Sequence, residues 1–172
     1  MKNNSCQITF RLPEKKDANT VKQLIENSPP LDINSVYCYL LVCTHFANTS
    51  ILAENSKDIC GFISAYIRPD RNDTLFVWQV VVSKNYRGKG LATDMLKSIL
   101  RRTYPAPLHY LETTVNPSNI SSNALFSGMA RSINARIVKS PLFTESDFGN
   151  SEHEKEILYR IGPFDILKKE KI

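Results

Sequence analysis

The residues with the clearest chemical implication are Arg87-Gly88-Lys89-Gly90. Two glycines let a backbone turn tightly and approach a ligand closely, and Arg87 and Lys89 add two full positive charges. A β-branched and aromatic run, residues 74–82, precedes them. An amphipathic run, residues 91–102, follows, with Leu91, Met95 and Ile99 recurring on one helical face. A helix beginning at Leu91 and Ala92 aims its first free N–H groups and the positive end of its dipole at the loop. That combination is a cradle for pyrophosphate. The plainer alternative is a solvated basic turn, and the strand before and helix after favour the cradle.

Four other places carry polar or aromatic groups of interest. His153, Glu154 and Glu156 form an acidic cluster entering a C-terminal strand, where Glu154 and Glu156 project to the same side. Asp32 lies in a Pro-rich turn, a position favoured for aspartate by local chemistry. Asn119 stands where a helix begins and suits an N-cap. Trp78, the single tryptophan, lies inside the long strand, and Tyr37 opens a short helix. Each has an ordinary structural reading: solvated surface for the acidic cluster, core or rim packing for the aromatics.

The elements that must position these groups are legible in outline. Strands are predicted at residues 8–12, 50–54, 58–67, 74–82, 109–115, 136–139 and 156–161. Helices are predicted at residues 17–25, capped by Asp17, and 36–46, capped by Ser35 with Val36, Leu40 and Cys43 inward. Two more are predicted at residues 91–102 and 119–134, the last with Leu125, Phe126 and Met129 inward. This order gives an α+β fold with a mixed sheet.

Composition narrows the class. At 172 residues the chain fits one domain, residues 1–172. Lys and Arg number 22 against 17 Asp and Glu, a net +5, and the charge is scattered. Nucleic-acid binders usually concentrate theirs, whereas an anionic small molecule accounts for this balance. No apolar run is long enough to span a membrane, and the polar start lacks a signal-peptide core. Cys6, Cys38, Cys43 and Cys60 show no metal-ligand or disulfide spacing. No metal is therefore expected, and free thiols in a reducing cytoplasm are.

The element order, with Arg87-Gly88-Lys89-Gly90-Leu91-Ala92 after the fourth strand, resembles the GNAT superfamily of N-acetyltransferases, whose signature is Arg/Gln-x-x-Gly-x-Gly/Ala. The resemblance spans nearly the whole chain. It implies a GNAT fold with a mixed, mostly antiparallel sheet flanked by helices, and acetyl-CoA as cosubstrate. It places Val80 and Val82 where backbone groups meet pantetheine, with the Val80 N–H polarising the thioester carbonyl. A second signature, an Asn followed six residues on by Leu-Tyr, is met by Asn119 and Leu125-Phe126. Many relatives use that tyrosine as general acid toward the thiolate, and Phe126 has no hydroxyl. A glutamate base early in the fourth strand of several relatives falls here near Phe76.

A narrower resemblance rests on five separated strings, at residues 29–37, 45–49, 75–80, 113–119 and 153–161. They are similar to the diaminobutyrate acetyltransferase family, which acetylates the side-chain amine of L-2,4-diaminobutyrate in ectoine biosynthesis. That resemblance implies a zwitterionic substrate. It makes Asp32, Tyr37, Trp78, Asn119 and His153 candidates for holding it, with Trp78 divided between acetyl pocket and core. Asp32, Glu154 and Glu156 are rival bases for the amine proton, which an amine of pKa ~10 must lose before attack. A homodimer is a further expectation. The alternatives are another small amine or peptide acceptor, or a non-catalytic acyl-CoA sensor.

Overall fold

The computed structural model describes residues 7–56, 58–149 and 153–165. Cys6, Lys57 and the first residues of the chain lie outside them. Seven strands form one sheet in the order β1-β2-β3-β4-β5-β7-β6. They are β1 (Thr9–Arg11), β2 (Ile51–Glu54), β3 (Ile59–Arg68), β4 (Arg71–Val82), β5 (Tyr110–Val115), β6 (Ile137–Phe143) and β7 (Glu156–Ile161). The helices are α1 (Ala18–Glu26), α2 (Val36–Val42), α3 (Leu91–Leu100) and α4 (Ile120–Ser132). β4 and β5 run parallel, while β1·β2, β2·β3, β5·β7 and β6·β7 are antiparallel. The expected mixed, mostly antiparallel sheet is therefore present.

The chain forms two compact units, one from residues up to Tyr66 with Gln79–Ile99, the other from Ile67–Trp78 with residues from Leu100 onward. In the first, Ala18, Val21 and Ile25 of α1 and Tyr39 and Val42 of α2 pack with Leu52, Phe62 and Val81. Each Val, Leu, Ile or Phe among them contributes about 1.5–3 kcal/mol by its burial. The inward stripe of α2 is thus Tyr39, Val42 and the expected Cys43, with the expected Leu40 partly buried against them; Val36, also expected inward, is 37% exposed. The larger Tyr39 ring takes the core position and turns Val36 outward. α2 also ends at Val42 rather than Phe46, because residues 43–46 tighten into turns.

Asp17 departs from expectation too. Its side chain makes no cap bond to α1. It accepts the Glu14 N–H at 2.7 Å and binds the Arg11 guanidinium through both oxygens, at 2.6 and 2.9 Å. It fastens the chain entering the helix to β1. Ser35 does cap α2, accepting the Cys38 N–H at 3.2 Å.

In the second unit one sheet face carries Leu75, Val77, Leu111, Val115, Tyr159 and Ile161, all buried. Phe126, Met129 and Ala130 of α4 are also buried, and the Tyr159 hydroxyl donates to Asn123 Oδ1 of that helix. Strand β6 reaches Phe143, beyond the predicted Lys139. The β4 strand starts at Arg71, since the preceding turn is only Pro69 and Asp70.

Candidate functional site

The first unit holds the strand–loop–helix junction. The β4·β5 ladder runs from Thr74–Tyr110 to Val77–Thr113, and β4 continues past it to Val82. Within β4, Val81 is 2% exposed, while Trp78, Val80 and Val82 are less covered. This is the alternation of a strand with one buried face. After β4, a 3-10 turn at Lys84–Tyr86 leads into the loop. Gly88 has φ +72° and Gly90 φ +81°, and a Cβ built on either meets nothing within 4 Å. Both glycines are therefore needed for their left-handed backbone rather than for space.

The first intrahelical bond of α3 is Asp94 N–H to Gly90 O, at 3.1 Å. Leu91, Ala92 and Thr93 thus supply the first-turn amides, which have no partner within a helix. Arg87 Nε donates to the Val82 carbonyl at 2.9 Å, and Lys89 Nζ donates to the Asn85 carbonyl at 2.9 Å. Lys89 also lies 5.7 Å from the Tyr86 ring centroid. Both partners are backbone dipoles. The loop concentrates positive charge on an exposed turn.

The turn between α1 and α2 belongs to the same unit. Asp32, Ile33 and Tyr37 are exposed, Tyr37 by 69%. Around them the backbone is pinned. Gln79 Nε2 donates to the Asp32 carbonyl at 2.7 Å, and the Asn34 N–H donates to the Tyr39 hydroxyl at 3.1 Å. Gln79 was not among the residues expected from the sequence. In a strand it reads as one more polar residue, and its partner is 47 positions away.

The second unit holds Trp78, which is 48% exposed, and the acidic segment. Asn119 caps α4 by accepting the Ser122 N–H at 3.0 Å, and Phe126 is 2% exposed. Glu154 Oε2 accepts the Ser118 N–H at 3.2 Å. Hydrogen bonds from Ser118 side chain and backbone hold the Glu154 carboxyl below the ordinary carboxylate range. A carboxylate so stabilised is a poorer base. The His153 ring stacks on Phe148 at 3.9 Å. Its Nδ1 is 2.7 Å from the Glu154 carbonyl, which only accepts, so Nδ1 carries the proton. His153 Nε2 then lies 4.0 Å from Glu156 Oε1, and the Glu156 side chain is only 14% exposed.

Two arrangements escaped the sequence reading. Glu112, fully buried, takes Arg68 Nη1 at 2.7 Å, Arg160 Nη1, and Arg71 Nη1 at 3.6 Å. Arg160 stacks over Tyr110, 3.7 Å from the centroid. Lys139 Nζ donates to the Tyr159 hydroxyl at 2.8 Å. Of the described cysteines, Cys38 and Cys43 are free thiols, and burial pushes Cys43 up to about 11, which removes it as a nucleophile. Among the described residues no group of His, Cys, Asp or Glu could hold a metal ion. Nor is any helix among them long and apolar enough to cross a membrane.

A mixed sheet with a left-handed Gly loop feeding a helix N-terminus defines a class, and the sequence agrees. The chain belongs to the acetyltransferase (GNAT) family, whose model matches residues 20–129. Within it the chain is 44% identical over 162 residues to the L-2,4-diaminobutyric acid acetyltransferase of Bordetella parapertussis, covering 94% of this chain and 87% of that one. The enzyme of the same name from Virgibacillus pantothenticus is 45% identical over 152 residues, covering 88% and 96%. The diaminobutyrate acetyltransferase of Paenibacillus lautus, solved with L-2,4-diaminobutyric acid and coenzyme A, superposes with a TM-score of 0.89. It is 38% identical, covering 94% of this chain and 98% of that one. The chain is a member of this diaminobutyrate acetyltransferase family.

Proposed function

We propose that the chain transfers the acetyl group of acetyl-CoA to the side-chain amine of L-2,4-diaminobutyrate, giving the N4-acetyl product of ectoine biosynthesis. The observation that carries the cofactor half is the pair of left-handed glycines, Gly88 and Gly90, placing the first amides of α3 beside Arg87 and Lys89. Arg87, Gly88, Lys89, Gly90, Leu91 and Ala92 bind the pyrophosphate. Val80 and Val82 meet the pantetheine arm, and Asn119 and Phe126 border its thiol end. The substrate half rests on relatives of the same name over nearly the full chain.

The reaction is direct attack by the neutral amine on the thioester carbonyl. The Val80 N–H stabilises the oxyanion, worth ~3 kcal/mol in the transition state. Glu156 accepts the amine proton in preference to Glu154, whose charge Ser118 already engages. Asp32 holds the retained ammonium, and Tyr37, Trp78 and His153 line the acceptor. Phe126 cannot protonate the thiolate, and a thiol of pKa ~8.5 leaves without a dedicated acid. Residues 1–172 act as one domain, in the cytoplasm and as a homodimer. Purified protein incubated with acetyl-CoA and diaminobutyrate should release CoA, with the acetyl group on N4 by NMR. Absence of turnover, or acetylation at the α-amine alone, would sink the proposal.

A further inference from the structure

A diamine poses a problem that cofactor binding cannot solve: two amines of similar reactivity compete for one carbonyl. Selecting one requires a fixed distance between the group that holds the retained ammonium and the group that holds the acetyl carbonyl. Effective molarity falls steeply when such placement loosens, and a misplacement near 1 Å can cost about 10²-fold. The α1–α2 turn is exposed at Asp32 and Ile33, and an exposed turn is mobile unless its backbone is tied.

The tie is Gln79. This residue sits between Trp78 and Val80 in β4, and its side-chain amide donates to the Asp32 carbonyl at 2.7 Å. A second pin, the Asn34 N–H on the Tyr39 hydroxyl at 3.1 Å, fixes the turn to the core, because Tyr39 is only 1% exposed. One bond thus references the turn to the helices. The other references it to the strand residue adjoining Val80.

We propose that Gln79 is a positioning residue that fixes Asp32 relative to β4 and thereby decides which amine of the substrate is acetylated. The inference rests on the diaminobutyrate reading above. Gln79 acts through the Asp32 backbone. With the bond present, Asp32 holds the α-ammonium at a span that presents only the side-chain amine to the carbonyl. Without it, the turn relaxes and the α-amine gains access.

The test is the product ratio. Gln79→Met keeps the length of the side chain and removes the donor, and Gln79→Leu serves as a second variant. Both are compared with wild type by NMR of the acetylated product, with a thermal melt to show an intact fold. Wild type should give N4-acetyl product alone. The variants should give N2-acetyl product at about a tenth or more of the total. KM for diaminobutyrate should rise about tenfold, as loss of one positioning hydrogen bond implies, with KM for acetyl-CoA within twofold. In an Asp32→Ala background, Gln79→Met should add less than twofold to KM, since both act on one contact. Folded variants that still yield only N4 product overturn the inference while leaving the reaction itself standing. A wild type with no transfer to diaminobutyrate overturns both.

Discussion

Two groups of cations in this molecule differ in what meets their charge. Arg87 and Lys89 in the loop donate to the carbonyls of Val82 and Asn85. Arg68, Arg71 and Arg160 converge on a carboxylate that is fully buried. Asp70 adds a second acid there, 2.8 Å from Arg68 Nη2. The first group stands on glycine-shaped backbone at a helix N-terminus, and its partners are dipoles that an anion readily replaces. The second meets two carboxylates of the fold itself, Glu112 of β5 and Asp70 of the turn before β4. Positive charge is left open to an anion where the fold withholds the counter-charge, and is tied into the structure where the fold supplies it.

The sharpest way to break that contrast is to remove the buried acid. Glu112→Gln leaves three guanidiniums around a neutral amide. Breaking a buried pair costs about 3–5 kcal/mol, and the arginines, each partly exposed, recover some hydration. A loss of about 3 kcal/mol is expected, lowering the thermal midpoint by roughly 10 °C for a chain of this size. A urea melt at unchanged slope would measure it. A midpoint within 2 °C of wild type would mean the cluster is not a joint.

The glycine loop should respond in the opposite way. Gly90→Val forces a β-branched residue to φ +81° where no neighbour blocks it, so the penalty is local strain of about 1–3 kcal/mol. The variant should raise KM for acetyl-CoA about tenfold or more and leave KM for diaminobutyrate nearly unchanged. Arg87→Ala should give a smaller effect, about fivefold in KM for acetyl-CoA, fading as salt rises and screens the exposed charge. Its melting temperature should stay at the wild-type value, because Arg87 is exposed and donates to a backbone carbonyl. A fall in stability with unchanged cofactor affinity would assign Arg87 to structure and erase the distinction.

The two groups also differ in how far they can be read from sequence. The loop is contiguous: strand, Arg87-Gly88-Lys89-Gly90 and Leu91-Met95-Ile99 helix follow one another, so local rules suffice. Strand β7 is likewise found at residues 156–161 as expected. Glu112 sits in Tyr110-Leu-Glu-Thr-Thr-Val115, which reads as an ordinary strand with one polar side chain. Its partners lie 44 and 48 residues away, and only strand pairing brings them together. Gln79 and Asp32 are hidden for the same reason. At the start of α2, helical period alone does not say whether Val36 or Tyr39 faces inward; the contacts of the tyrosine ring decide it. Asp17 has the residue type of a cap, but the Arg11 guanidinium at the end of β1 is a stronger partner than a helix amide.

That aspartate gives the smallest effect and a test of the principle on a third cation. Burial pushes the Asp17 carboxyl up, but its bonds from Arg11 and from the Glu14 N–H prevail and hold it below the ordinary 3.8. A carboxyl depressed in the folded state stabilises fully above its unfolded value and loses that contribution as pH falls through the folded one. Part of the acid loss of stability below pH 3.8 should therefore belong to this group. Asp17→Asn should lower the melting temperature at neutral pH by a few degrees and flatten the acid limb of the pH profile, the two curves converging at low pH. Arg11 also meets Glu54 at 2.9 Å, so its charge keeps one partner in the variant. Parallel curves across the whole acid range would show that Asp17 stabilises by packing and hydrogen-bond shape alone, and that Arg11 belongs with the loop cations rather than with those around Glu112.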